Sequence, residues 1–306
     1  MSPLPLAPAE DPPRGVSYPL VLTGSDGGPV RLAMGILMAL SLFLLVVPVT
    51  AQALLGLVWI AVGRPGSFAE YRAAGLGYRL PEGIVATHLA LAMLAVISLV
   101  LVRHLHGREA RWLVSVQPGW RLRYLLICLP LAVVVLNAVL WASFGLLGTP
   151  VFDGGQPGWP VFLAIICLTS PVQALAEEFF FRGYVLQAIG SATGRAWAGV
   201  VGSALLFAVL HGLQNPALFA DRFAFGLVAG WLVVATGGLE AGIAAHVVNN
   251  LFAFGYGLFT GGVAVTKATS AIGWDKAFFD VLGFAVFAAV AWWVGRRMHL
   301  ATTTPS

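Results

Sequence analysis

Long apolar runs alternate with short polar breaks along most of this chain. Runs of Val, Leu, Ile, Ala and Phe occupy about 32–60, 83–102, 124–147, 160–189, 196–212, 221–237, 239–259 and 277–295. About 20 such residues carry a helix across the hydrocarbon of a bilayer. The pattern therefore predicts an all-α fold, a polytopic transmembrane helical bundle of about eight spans. The first run exceeds one crossing, and Pro48 predicts either a kink in it or an end that lies along the interface. The strict alternation of a membrane barrel is absent. Residues 1–30 are polar, rich in Pro and Gly, and carry no hydrophobic run. They predict a disordered cytoplasmic tail ahead of a single transmembrane domain over 31–306.

Composition agrees with this pattern. Hydrophobic residues make up 59% of the chain and charged residues 10%, against roughly 25% charged in soluble domains. The net charge of +4 fits basic cytoplasmic loops and not a nucleic-acid partner. Cys128 and Cys167 lie inside apolar runs. They read as small buried hydrophobes, with neither a disulfide framework nor a Cys-based metal site. Residues 103–123 carry five arginines and two tryptophans, which predicts an interfacial segment on an anionic leaflet. With both termini inside, more of the loop arginines and lysines fall on the inner side than on the outer. The expected location is the plasma membrane, multi-pass, with both termini cytoplasmic. Arg64, Arg72 and Arg79 run against that assignment.

The stretch 169–190, TSPVQALAEEFFFRGYVLQAIG, departs from this background. It places Glu177, Glu178 and Arg182 in one span, and charges within a bilayer mark function by default. Glu178 and Arg182 are four apart, so they share a helix face and can pair. Glu177 is rotated about 100° from Glu178, which leaves it to project into a cavity. Burial holds an unpaired acid near the point where it can give and take a proton, as a general acid or base must. A charge cluster that only ties helices together would use the same residue types. Ser170-Pro171 fits either a helix restart or a proline kink.

Two further spans carry histidine. His211 follows Phe207 by one turn, and Asn250 follows His246 by one turn. His88, His104, His106 and His299 sit near span ends and read as interfacial. Glu177 with a histidine can deprotonate water, while a second histidine and an amide can donate to a developing oxyanion. Glu177, His211 and His246 are equally a zinc-like ligand set with room for a water. No HExxH, GxSxG or phosphate-binding loop is present.

These motifs, Glu177-Glu178-x-x-x-Arg182, Phe207-x-x-x-His211 and His246-x-x-x-Asn250, occur in order, each in an apolar span. The set resembles the CPBP intramembrane proteases, which include type II CAAX prenyl endopeptidases and bacteriocin-immunity-like proteins. The resemblance covers about 159–260. It implies hydrolysis of a peptide bond within the membrane, with a membrane-associated or lipidated protein or peptide as substrate. By the same resemblance, Glu177 and His211 activate water and His246 and Asn250 form the oxyanion site. Glu178 and Arg182 support that geometry. It leaves open a divalent metal such as zinc or a metal-free glutamate mechanism. Eukaryotic members remove the last three residues of prenylated CAAX proteins. Two other classes fit intramembrane Glu, His and Arg: an ion- or proton-coupled transporter, and a non-catalytic immunity or scaffold protein.

Overall fold

The computed structural model describes residues 9–24, 28–212 and 214–306. Apart from two isolated bridges, its regular elements are helical. They are α1 (Gly28–Ala61), α2 (Phe68–Leu76), α3 (Pro81–Val100), α4 (Arg111–Val114), α5 (Leu122–Leu147) and α6 (Trp159–Glu178). The second half holds α7 (Leu186–Thr193), α8 (Ala196–Leu210), α9 (Pro216–Thr236), α10 (Glu240–Gly257), α11 (Val263–Ala268) and α12 (Trp274–Arg297). Short π-helical segments follow α3 (Leu101–Leu105) and α6 (Phe179–Val185).

Among the described residues, six helical stretches are long and apolar enough to cross a membrane: Gly28–Ala61, Pro81–Leu105, Leu122–Leu147, Trp159–Thr193, Pro216–Thr236 and Trp274–Arg297. The chain is a multi-pass membrane protein. The other two predicted spans coincide with α8 and α10. Ala196–Leu210 has 15 residues, short for a full crossing. Helix α10 carries Glu240, His246, Asn249 and Asn250, and its first nine residues are buried in the bundle. Polar side chains are tolerated there because they face protein and not lipid.

Helix ends follow local chemistry. Ser67 and Glu70 form a capping box at α2. Asn215 caps α9, accepting from Leu218 N at 3.0 Å, with Pro216 in the first turn. Helix α1 continues through Pro48 as one helix.

Helix α6 sits centrally, packed on α3 and α10; α8 pairs with α9, and α12 packs on both α5 and α9. One end of the bundle is stitched by the chain termini. Ser17 bridges Thr303, and Thr304 Oγ1 donates to Pro13 O at 2.7 Å. Tyr18, Val21 and Leu22 are fully buried, and the Tyr18 hydroxyl donates to Leu113 O. The expectation of disorder over 1–30 therefore does not hold for 9–24; residues 1–8 and 25–27 lie outside the described residues. The apolar cluster Tyr18, Val21 and Leu22 is too short to register as a run, yet it fills a pocket against α7.

The basic segment 103–123 is also drawn inward. Arg108 is buried, with Nη1 donating to Asp11 O at 2.9 Å and Nη2 to Thr23 O at 2.8 Å. Arg121 pairs with the buried Glu240 at the start of α10, Nε to Oε1 at 2.9 Å. These two arginines bind protein groups instead of lipid headgroups. His88 and His106 are buried as well, which corrects their interfacial reading. His88 Nδ1 lies 2.7 Å from Thr169 Oγ1, and His106 Nε2 lies 3.0 Å from the Tyr184 hydroxyl. Cys128 is buried as expected, but Cys167 is exposed on the outer face of α6.

Candidate active site

Helix α6 reaches Glu177 and Glu178 without a break at Pro171, so no restart occurs there. The irregularity comes immediately after the two acids, where the chain passes into the π-helical Phe179–Val185. π-Helical turns are rare and concentrate at functional sites. This one carries Arg182 with a ring of phenylalanines, all buried.

Glu178 and Arg182 are both fully buried, with Arg182 Nη1 3.0 Å from Glu178 Oε1. The guanidinium lies over two neighbouring rings, its Cζ 4.2 Å from the centroid of Phe207 and 4.8 Å from that of Phe225. Such cation–π contacts gain strength when desolvated. The ion pair and the rings together stabilise a charge that has left water.

Glu178 has a second partner. His246 Nδ1 lies 2.8 Å from Glu178 Oε1. A carboxylate only accepts, so this bond puts a proton on Nδ1. The other ring nitrogen, Nε2, then faces Glu177 Oε2 at 3.5 Å. His246 is thus held between the two carboxylates, edge-on to Phe225 with centroids 5.2 Å apart.

His211 closes α8. Its Nδ1 lies 2.6 Å from the carbonyl of Phe207, which fixes the proton on Nδ1 and leaves the Nε2 lone pair open. Its ring packs on Phe207 with centroids 4.3 Å apart. His211 is within electrostatic reach of both Glu177 and His246, but among the described residues it makes no direct bond to either.

Asn250 donates from Nδ2 to Gln173 Oε1 at 2.9 Å and accepts from Asn249 Nδ2 at 3.2 Å. The bond to Gln173 thus links Asn250, and through it Asn249, to the Glu177 helix. Gln173 was not singled out from the sequence. It sits one turn before Glu177, and the same helical spacing that paired Glu178 with Arg182 points to it. Phe225 and Gly242 were missed without any comparable signal. A Cβ on Gly242 would stand 3.1 Å from Glu178 Oε2, so this glycine leaves space for the carboxylate.

The zinc-like set of Glu177, His211 and His246 fits a metal poorly. Among the described residues no three of His, Cys, Asp and Glu come together as metal ligands. Both histidines direct Nδ1 at protein acceptors, which leaves Nε2 of each as the atom a metal would take.

Residues 157–252 match the family model for type II CAAX prenyl endopeptidase, Rce1-like. The match includes all seven motif residues, from Glu177 to Asn250. The chain is also 31% identical over 157 residues to the uncharacterized protein YyaK of Bacillus subtilis strain 168. That alignment covers 48% of this chain and 52% of the relative, so the chain spans about half the length of the curated relative it matches.

Proposed function

We propose that this protein is an intramembrane endopeptidase that hydrolyses a peptide bond of a membrane-associated, lipidated protein, with water activated by Glu177. The observation that carries this reading is the placement of His246 between Glu177 and Glu178, inside a segment that matches an endopeptidase family.

The two histidines divide the work by their fixed tautomers. His211 offers a lone pair at Nε2, and with Glu177 takes the proton of the attacking water. His246, when doubly protonated, offers Nε2–H as a donor. Two carboxylates and one guanidinium leave one negative charge, and an imidazolium at His246 neutralises the cluster. A cationic donor held in place by Glu178 stabilises the oxyanion of the tetrahedral intermediate, and Asn250 adds an amide donor. Water oxygen bonds to the carbonyl carbon, and its proton moves to Glu177. The C–N bond then breaks, and the leaving amine takes that proton.

We place this chemistry in a single transmembrane domain with both termini cytoplasmic, the Rce1-like segment forming its core. No step is routed through a metal. The test uses purified protein in detergent with a farnesylated peptide, read by mass spectrometry. Wild type is expected to cut it and to keep its rate in chelator, whereas Glu177→Gln is expected to be inert while still inserted. Cleavage by Glu177→Gln would overturn the mechanism; loss of activity on chelation, restored by zinc, would replace it with a metal one.

A further inference from the structure

Helix α6 meets α10 through a seam of polar side chains in antiparallel register. Glu177 faces His246 at 3.5 Å, and one turn back on α6 Gln173 faces Asn250 at 2.9 Å. The next turn is closed. Thr169 Oγ1 donates to Ile165 O at 2.8 Å and lies 2.7 Å from His88 Nδ1. Phe254 packs on that histidine, with ring centroids 6.1 Å apart. The seam therefore ends at Gln173. The hydrolytic mechanism uses Glu177, His246 and Asn250 and leaves Gln173 without a task.

Gln173 is buried, with 5% of its surface exposed. Asn249 Nδ2 donates to Asn250 Oδ1 at 3.2 Å, and Asn250 Nδ2 donates to Gln173 Oε1. The three amides form one relay of single polarity, and each bond in such a chain polarises the next. The relay ends on Gln173 Nε2, whose two N–H groups have no acceptor among the described residues. Reversing all three amides would turn Gln173 Oε1 toward the turn that carries Glu177, an acceptor beside a carboxylate. The observed polarity is the one that acid favours. Ser170 Oγ on the same helix also lacks a partner but is sealed in protein, whereas Gln173 Nε2 is not. A buried amide with both donors unfilled, held in place by a relay, is built to receive an acceptor.

Length decides which acceptor. Successive turns of a helix stand about 5.4 Å apart, and an extended peptide advances about 3.3–3.6 Å per residue. A substrate whose scissile carbonyl stands at Glu177 and His246 therefore brings a neighbouring carbonyl to Gln173. We propose that Gln173 Nε2 holds a backbone carbonyl of the substrate, one or two residues from the scissile bond. This inference rests on the endopeptidase reading and adds a subsite to it. The contact is to main chain, so it fixes the register of the peptide against Glu177 and is blind to the side chain at that position.

The test uses the inert Glu177→Gln protein in detergent. Its probes are a fluorescent farnesylated peptide and a series in which one peptide bond at a time is replaced by a trans-alkene, which removes that carbonyl and keeps the shape. One replacement near the scissile bond is expected to weaken binding about tenfold. Adding Gln173→Met or Gln173→Glu is expected to abolish the cost of that replacement and leave the cost of the others unchanged, a coupling read as a double-mutant cycle. Gln173→Glu keeps an acceptor for Asn250, so a residue that only ties α6 to α10 would survive it. Replacement costs that are the same with and without Gln173 overturn the proposal. So does a uniform loss of affinity for every probe with a lower melting temperature, which would assign Gln173 to helix packing alone. Cleavage of the unmodified peptide by wild type is measured separately. Coupling at one carbonyl without cleavage would sink the endopeptidase reading and leave the peptide subsite standing; cleavage without coupling would do the reverse.

Discussion

His246 directs Nδ1 at Glu178 Oε1 across 2.8 Å and thereby turns Nε2 toward Glu177. Glu178 Oε1 thus serves two partners at once, since Arg182 contacts the same oxygen at 3.0 Å. The two adjacent acids should therefore respond differently to the same change. Glu178→Gln leaves Arg182 buried among rings without its counter-charge, and breaking a buried pair costs about 3–5 kcal/mol. It should lower the melting temperature in detergent and reduce cleavage about 100-fold or more. Glu177→Gln should abolish cleavage and leave the melting temperature unchanged. Thermal unfolding of both variants side by side checks this; equal destabilisation would show that the acids are not divided in role.

Gly242 controls the other side of the same carboxylate. A methyl group there would sit 3.1 Å from Glu178 Oε2, tighter than ordinary contact. Gly242→Ala should shift Glu178 by a few tenths of an ångström, and Gly242→Val by more. A misplacement of about 1 Å costs about 10²-fold when it reaches reacting groups, and smaller shifts cost less. Turnover should fall in the order glycine, alanine, valine, with KM for the lipidated peptide nearly constant. A rise in KM with turnover intact would place Gly242 at the substrate instead.

Much of this geometry was legible in the sequence. Apolar run length alone gives the all-α membrane fold, because a bilayer allows few alternatives. Charges inside those runs point to Glu177, Glu178 and Arg182, and helical spacing pairs the last two. The partner of His246 was not legible. Spacing relates His246 to Asn250 on its own helix, but the contact to Glu178 crosses between helices. Local periodicity carries no information on that crossing. The π-helical turn after Glu178 was hidden for a related reason, since it changes the phase of a helix without changing its residue types. Ser170-Pro171 offered a visible signal at the wrong place, because α6 accommodates Pro171 without restarting. The packed segment at Tyr18 shows the opposite failure, a few apolar residues that only tertiary contact makes significant.

His106 sets a pH dependence outside the membrane-spanning helices. Burial, with Arg31 and Arg108 nearby, pulls its pKa down from 6.5 to about 4. The unfolded chain therefore binds a proton that the folded protein refuses between those values. Stability is fully present above about pH 6.5, falls as the pH drops toward 4, and levels below it. The shift corresponds to a loss on the order of 3 kcal/mol. Melting temperature measured from pH 7.5 to 4.5 should decline, and His106→Gln should flatten that decline. A slope that persists unchanged in His106→Gln would assign it to other groups.

Arg121 and Glu240 tie the segment before α5 to the start of α10, the helix of His246. Glu240 is wholly buried and accepts from Arg121 N at 3.0 Å and Nε at 2.9 Å. Arg121 also donates from Nη1 to Thr236 O at 2.6 Å. Arg121→Met strands the carboxylate and should destabilise the protein by about 3–5 kcal/mol. The double variant Arg121→Met with Glu240→Gln removes both charges together and should recover most of that loss. Because α10 carries His246 and Asn250 one and a half turns or more beyond Glu240, cleavage should recover in parallel with stability. The measurement is a double-mutant cycle read by both unfolding and turnover. Additive losses in the cycle would mean that the two residues act independently, and that the start of α10 is held by its backbone bonds to Val114 and Val116 alone.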